Sequence, residues 1–167
     1  MMRAPTALLS LMTTLVIAVA PVRASSTAVG ADSPELSFQR YRSIINLHDF
    51  DLLAQSVIAR DAKFSFDGET HLGIEAVRKA FALSWSILPD EVYSMVPIHW
   101  LHLTNRSAIV FVRYSYHGTT KDGRPLQGSG AGINLFRRGP SGWWLSEEHL
   151  SPDPMANPAE LPETLID

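Results

Sequence analysis

At 167 residues the chain can hold one domain with a real hydrophobic core and is too short for two ordinary ones. A net charge of −3 supplies no electrostatic footprint for nucleic acid and no polybasic patch for an anionic membrane surface. With no cysteine in the sequence, disulfides, thiol chemistry, cysteine-type zinc sites and lipid-modified cysteines are excluded, so the fold rests on its core alone.

Residues 1–24 have a cationic start at Arg3, an apolar run from Ala7 to Ala20 and a small-residue end at Ala24. That is the layout of a secretory signal peptide. The run falls short of the roughly 20 residues a membrane span needs. The chain is therefore expected to be exported, periplasmic or secreted, with cleavage after Ala24 and no stable membrane anchor left behind. Residues 25–33 are small and polar and read as a flexible leader.

Ser33, Pro34 and Glu35 form a helix start: a capping hydroxyl, a proline at the first helical position and an acid in the first turn. Leu36, Tyr41, Ile44, Ile45 and His48 follow at near-helical spacing, which predicts an amphipathic helix over 34–48. A second short helix is expected over 50–59, with Leu53 and Val57 inward. "DAKFSFDG" then alternates Phe64 and Phe66 with polar residues before an Asp67-Gly68 turn, the pattern of a short strand. Ile74, Val77, Phe81, Trp85 and Leu88 step by three or four until Pro89, which predicts a third helix. Four strands are expected near 91–103, 107–119, 126–138 and 143–150, separated by "TNRS", "TKDGRP" and "RRGPSG". Helices first and then antiparallel strands argue for an α+β domain, with helices packed on one face of a sheet. Beyond Ser151, residues 152–167 carry four prolines and read as an irregular tail.

The order and spacing of "QRYRSIINLHDFD", "ARDAKFSFDGETHLGIEAVRKAF", "AIVFVRYSYHGTTKDGRPLQGSGAGINLFRR" and "GWWLSEEHLS" resemble the nuclear transport factor 2-like superfamily, in its SnoaL-like and ketosteroid-isomerase-like branch. The resemblance covers residues 34–151. It implies a cone-shaped, curved antiparallel sheet wrapped against three N-terminal helices, a pocket inside the cone, and frequent homodimers through the sheet. It does not imply one function, because the fold hosts both enzymes and silent binding domains. Compared with ketosteroid isomerase, the resemblance places an oxyanion donor at Tyr41 and a second donor at Asn134, and puts Phe66 where that family has its aspartate base.

Strand alternation puts Trp143, Leu145, Glu147 and His149 on one face of the last strand, and the resemblance turns that face into the cone. The expected pocket wall has aromatic Phe66, Phe81, Trp85, Tyr114, Tyr116 and Phe136, with polar Tyr41, Asn134, Glu147 and His149. An aromatic wall with a few polar groups is the usual makeup of a small-molecule site. Glu147 and His149 lie about 6.6 to 7 Å apart along a strand. They could form an acid/base pair, or His149 could close the core while Glu147 meets solvent. His99 and His102 are three apart on a strand, hence on opposite faces, and no three-ligand metal set is visible. "GSGAG", Gly128 to Gly132, lies inside a strand with no helix after it, so its glycines point to sheet curvature or a bulge rather than a phosphate loop.

Three readings follow, none of them needing a cofactor. The chain binds a small apolar or aromatic molecule; or it is an isomerase, dehydratase or cyclase with His149 as acid/base, Glu147 supporting it and Tyr41 with Asn134 polarising a carbonyl; or it is an assembly domain that dimerises through Ile109, Phe111 and Trp144.

Overall fold

The computed structural model describes residues 28–66 and 68–153. The expected signal peptide, the start of the leader, Asp67 and the tail from residue 154 onward lie outside the described residues.

Helix α1, Pro34–Ile44, begins where Ser33 Oγ accepts the Leu36 amide at 3.1 Å. It ends earlier than the periodicity predicts. A 3₁₀ turn, Ile45–Leu47, follows, and His48 takes a left-handed φ of 53° that no α-helix continues through. Asp49 caps the second helix, α2, Phe50–Ser56, by accepting the Leu52 amide. Strand β1, Ile58–Phe66, is longer than "DAKFSFDG" suggests, and it pairs with a short strand β2, Glu69–Leu72, that has no apolar alternation to announce it. Helix α3 runs Ile74–Ile87, with Val77 and Phe81 buried. Then come β3, Val92–Thr104, β4, Ser107–Thr119, β5, Pro125–Gly139, and β6, Gly142–Pro152.

The six strands form one sheet in the order β2-β1-β6-β5-β4-β3. This corrects the expected cone of curved antiparallel sheet on three N-terminal helices. The sheet is mixed, because β1 and β6 run parallel, and open, because edge strands β2 and β3 do not meet. Only α1 and α2 precede the first strand; α3 follows the β1–β2 hairpin. The physical reason is connectivity. Consecutive strands joined by tight turns must be antiparallel, whereas β1 and β6 are joined through everything between them and are free to pair parallel.

The helices cover the inner face, where Phe38, Leu53, Phe64, Val110, Phe136 and Leu145 are buried in one core. Phe136 sits deep in it, edge-on to Phe38 at 6.4 Å. The described part of the expected leader is also tied down. Ala31 exchanges two backbone hydrogen bonds with Trp143, and Val29 N–H donates to the Gln55 carbonyl.

One irregularity decides which residues reach the inner face. Phe136 pairs with Leu145, yet the residue before it in β5, Leu135, pairs with Glu147, so Ser146 is an extra residue in β6. Such a bulge shifts the alternation by one position. Ser146 Oγ donates to the Leu135 carbonyl at 3.0 Å, which holds the bulge in place. Before it Trp143 and Leu145 are buried; after it the buried residue is Glu148.

Candidate functional site

A cavity of about 370 Å³ lies between the inner face of the sheet and helices α1 and α3. At its floor three elements meet in one polar cluster. Tyr41, from α1, donates its hydroxyl to Glu148 Oε1 at 3.0 Å. Asn134, from β5, donates Nδ2 to Glu148 Oε2 at 2.6 Å. Tyr41, Asn134 and Glu148 are all 2 % exposed or less, so this is a carboxyl group desolvated inside the core and held by two neutral donors.

Burial pushes the Glu148 carboxyl up to about 7 from its usual 4.5, against the pull of the hydrogen bonds from Asn134 and Tyr41, which favour the carboxylate. Burial also holds the Tyr41 hydroxyl well above the ordinary phenol range, reinforced by the negative charge of Glu148. Asn134 Oδ1 has no hydrogen-bond partner among the described residues. A half-turn of that amide would offer Oδ1 to a protonated Glu148, so one side chain can serve both protonation states.

The cavity walls are aromatic. Phe81 packs edge-on to Trp85 at 5.3 Å and to Phe66 at 6.3 Å, and Tyr93 stacks on Tyr114 at 6.0 Å. Trp85 in turn stacks on His48, whose ring Nε2 lies 3.2 Å from the Glu91 carbonyl. The exposed lining residues are Leu83, Ile87, Leu126 and Glu69, which places the opening between β2, the end of α3 and the start of β5.

The "GSGAG" run makes room for this wall. Gly128 and Gly130 lie opposite Tyr116 and Tyr114 in the ladder, and a Cβ at either position would come within 2.6 Å of the tyrosine ring. These glycines let two aromatic side chains lie flat against the backbone of β5 on the cavity side.

Of the residues expected on the pocket wall, Tyr41, Phe66, Phe81, Trp85, Tyr114 and Tyr116 line the cavity. Asn134 sits behind Glu148, and Phe136 lies in the core outside the cavity lining. Tyr41 and Asn134 lie on either side of Glu148, and both donate to it instead of to an open position. Glu147 and His149 are placed on the opposite face, where they form a 3.5 Å pair with 34 % and 38 % of their side chains exposed. The bulge at Ser146 is the reason: strict alternation carries Glu147 and His149 inward, and the extra residue turns them out and Glu148 in. The sequence signal that could have found Glu148 is the doubled glutamate itself, since adjacent residues on a strand face opposite sides and one of the pair must point inward.

His99 and His102 pair with Phe111 and Ala108, and His102 meets Glu35 at 3.0 Å. No group of three or more His, Asp or Glu side chains placed to hold a metal occurs among the described residues.

No protein-family model matches the chain, and no curated protein matches it. Solved structures do. A nuclear transport factor 2-like superfamily protein from Salmonella enterica serovar Typhimurium superposes with a TM-score of 0.65 at 15% identity, covering 75% of this chain and 92% of that one. A protein with a cystatin-like fold from Caulobacter vibrioides gives 0.62 at 17% identity, covering 72% and 87%. A hexachlorocyclohexane dehydrochlorinase gives 0.62 at 13% identity, covering 71% and 81%. The chain has the nuclear transport factor 2-like fold, with a cavity of a size that suits a small molecule.

Proposed function

We propose that this chain is an exported, SnoaL-like proton-transfer enzyme whose cavity takes a small, largely apolar molecule and whose acid/base is Glu148. The observation that carries the reading is a carboxyl group at the floor of an aromatic cavity, raised to about 7 by burial and held in position by donors from two different elements. A general acid/base is most effective when its proton affinity matches the working pH, and a carboxyl in water is far too acidic for that.

As a carboxylate, Glu148 takes a proton from an activated carbon of the bound molecule, and the electron pair left behind moves into an adjacent carbonyl or expels a leaving group. Where the pair moves into the carbonyl, Glu148 as an acid returns the proton at another position, and the outcome is isomerisation. Where the pair expels the leaving group as an anion, the proton passes from Glu148 to solvent, and the outcome is elimination. Tyr41 and Asn134 hold the carboxyl plane while its proton comes and goes, and the aromatic wall excludes competing water. The reading draws support from a fold neighbour that is itself a dehydrochlorinase, a name that denotes elimination. The experiment is exchange of the acidic carbon-bound protons of cavity-binding ketones in heavy water, followed by NMR with and without the protein. Acceleration by the wild type that vanishes in Glu148→Gln supports the assignment; equal exchange in both contradicts it.

The outer face of the sheet favours self-association alongside this activity. Leu101, Ile109, Phe111, Ile133 and Leu135 lie side by side across β3, β4 and β5, with Phe111 41% and Leu101 44% exposed. A contiguous apolar patch on a sheet of this kind is an interaction surface. Sedimentation should give a dimer that Phe111→Asp converts to monomer; a wild-type monomer at micromolar concentration would remove the idea.

A further inference from the structure

The charged groups of the cavity are one-sided. Glu148 is at the floor, Glu91 is half-buried on the wall and Glu69 stands at the opening; His71 is the only lining side chain that can carry a positive charge, and no Lys or Arg lines the cavity among the described residues. The arginines are placed elsewhere. Arg60, Arg78, Arg106, Arg137 and Arg138 line a separate, open groove beside α2 and the β5–β6 turn, and Arg113 is taken up by Asp153 on two hydrogen bonds. Glu91 bears on the cavity floor, since its negative charge contributes to holding the Tyr41 hydroxyl un-ionised.

An anionic ligand entering this space would give up its hydration, meet carboxylates and find no guanidinium or ammonium to pair with, which is costly. A cationic ligand meets the reverse. It gains the carboxylates and a wall that includes the rings of Trp85, Tyr93 and Tyr116, and an aromatic quadrupole attracts a cation most strongly where water is excluded.

From this geometry we infer that the cavity selects small aromatic or alicyclic molecules carrying a protonated amine, with the ammonium group seated between Glu91, Glu148 and the tyrosine rings. The inference rests on the reading of the cavity as a small-molecule site and adds the charge of the ligand to it.

The test is a matched trio with one apolar body and three head groups: naphthylmethylamine, naphthylmethanol and naphthoate, titrated calorimetrically into the purified chain at neutral pH. The amine is expected to bind about tenfold more tightly than the alcohol, the alcohol more tightly than naphthoate, and Glu91→Gln to remove most of the amine's advantage while leaving the alcohol unchanged. If the alcohol matches the amine, or naphthoate binds best, the charge preference is wrong while the cavity remains a binding site. If none of the three binds, the small-molecule reading fails and the inference with it. An amine whose affinity is untouched by Glu91→Gln would overturn the seat assigned to the ammonium.

Discussion

Glu148→Gln should abolish accelerated proton exchange and, in the same protein, remove a pH dependence from folding stability. Loss of a positioned general base costs typically about 10² to 10⁴ in rate, and Gln has the shape of the acid form without a proton to exchange. The stability effect follows from the carboxyl being raised to about 7 in the folded protein against 4.5 in the unfolded chain. A folded state that holds its proton more tightly is favoured while that proton is bound. The contribution is therefore full below about pH 4.5, declines as pH rises through the window to about 7, and is gone above it. Over that window the wild type should lose roughly 3 kcal/mol, at about 1.4 kcal/mol per unit. Glu148→Gln lacks the titrating group, so the difference between the two proteins in denaturant unfolding isolates Glu148 from every group they share. The groups around it, Tyr41 and Asn134 in contact and Glu91, Tyr93, His71 and Glu69 facing the same cavity, are common to both proteins. A difference that stays constant from pH 4.5 to 8 would contradict a shifted Glu148.

Tyr41→Phe should be destabilising in a way that depends on pH. The substitution deletes the hydroxyl that donates to Glu148 Oε1 at 3.0 Å and leaves the ring's packing in place. A hydrogen bond to a charged group contributes about 1.5–3 kcal/mol and one between neutral groups about 1 kcal/mol. The variant should therefore lose more stability at pH 8, where Glu148 is a carboxylate, than at pH 5, where it is neutral. Its Glu148 should also titrate higher than in the wild type, because the Tyr41 bond is one of the two that lower it. Thermal unfolding at the two pH values checks this, and an equal loss at both would mean that Tyr41 does not hold the charged form.

Much of the fold could be read from local chemistry. Ser33-Pro34-Glu35 opens α1, the three-and-four spacing from Ile74 gives α3, and the turn residues divide β3 to β6 to within a residue or two of their observed ends. What escaped is non-local. The parallel pairing of β1 with β6 is set by where the chain returns, and β2 is a strand through its pairing with β1, as its sequence has no alternation of its own. The candidate site was half legible for the same reason. Tyr41 and the aromatic wall follow from residue type and periodicity, whereas Glu148 depends on a single extra residue at Ser146, which is fixed by the ladder with β5. Alternation read through a bulge assigns every later residue to the wrong face, and here it exchanged Glu147 and His149 for Glu148. The glycines of "GSGAG" likewise take their meaning from the tyrosines across the ladder, which no reading of β5 by itself supplies.

The most direct measurement is an NMR pH titration of the side-chain carboxyl carbons, with the Glu148 resonance assigned by its absence in Glu148→Gln. A midpoint near 7, well separated from the other glutamates, is the expected result for a buried carboxyl poised to exchange a proton. A midpoint close to 4.5 would mean that Glu148 is an ordinary carboxylate at neutral pH, and the proton-transfer reading would fall.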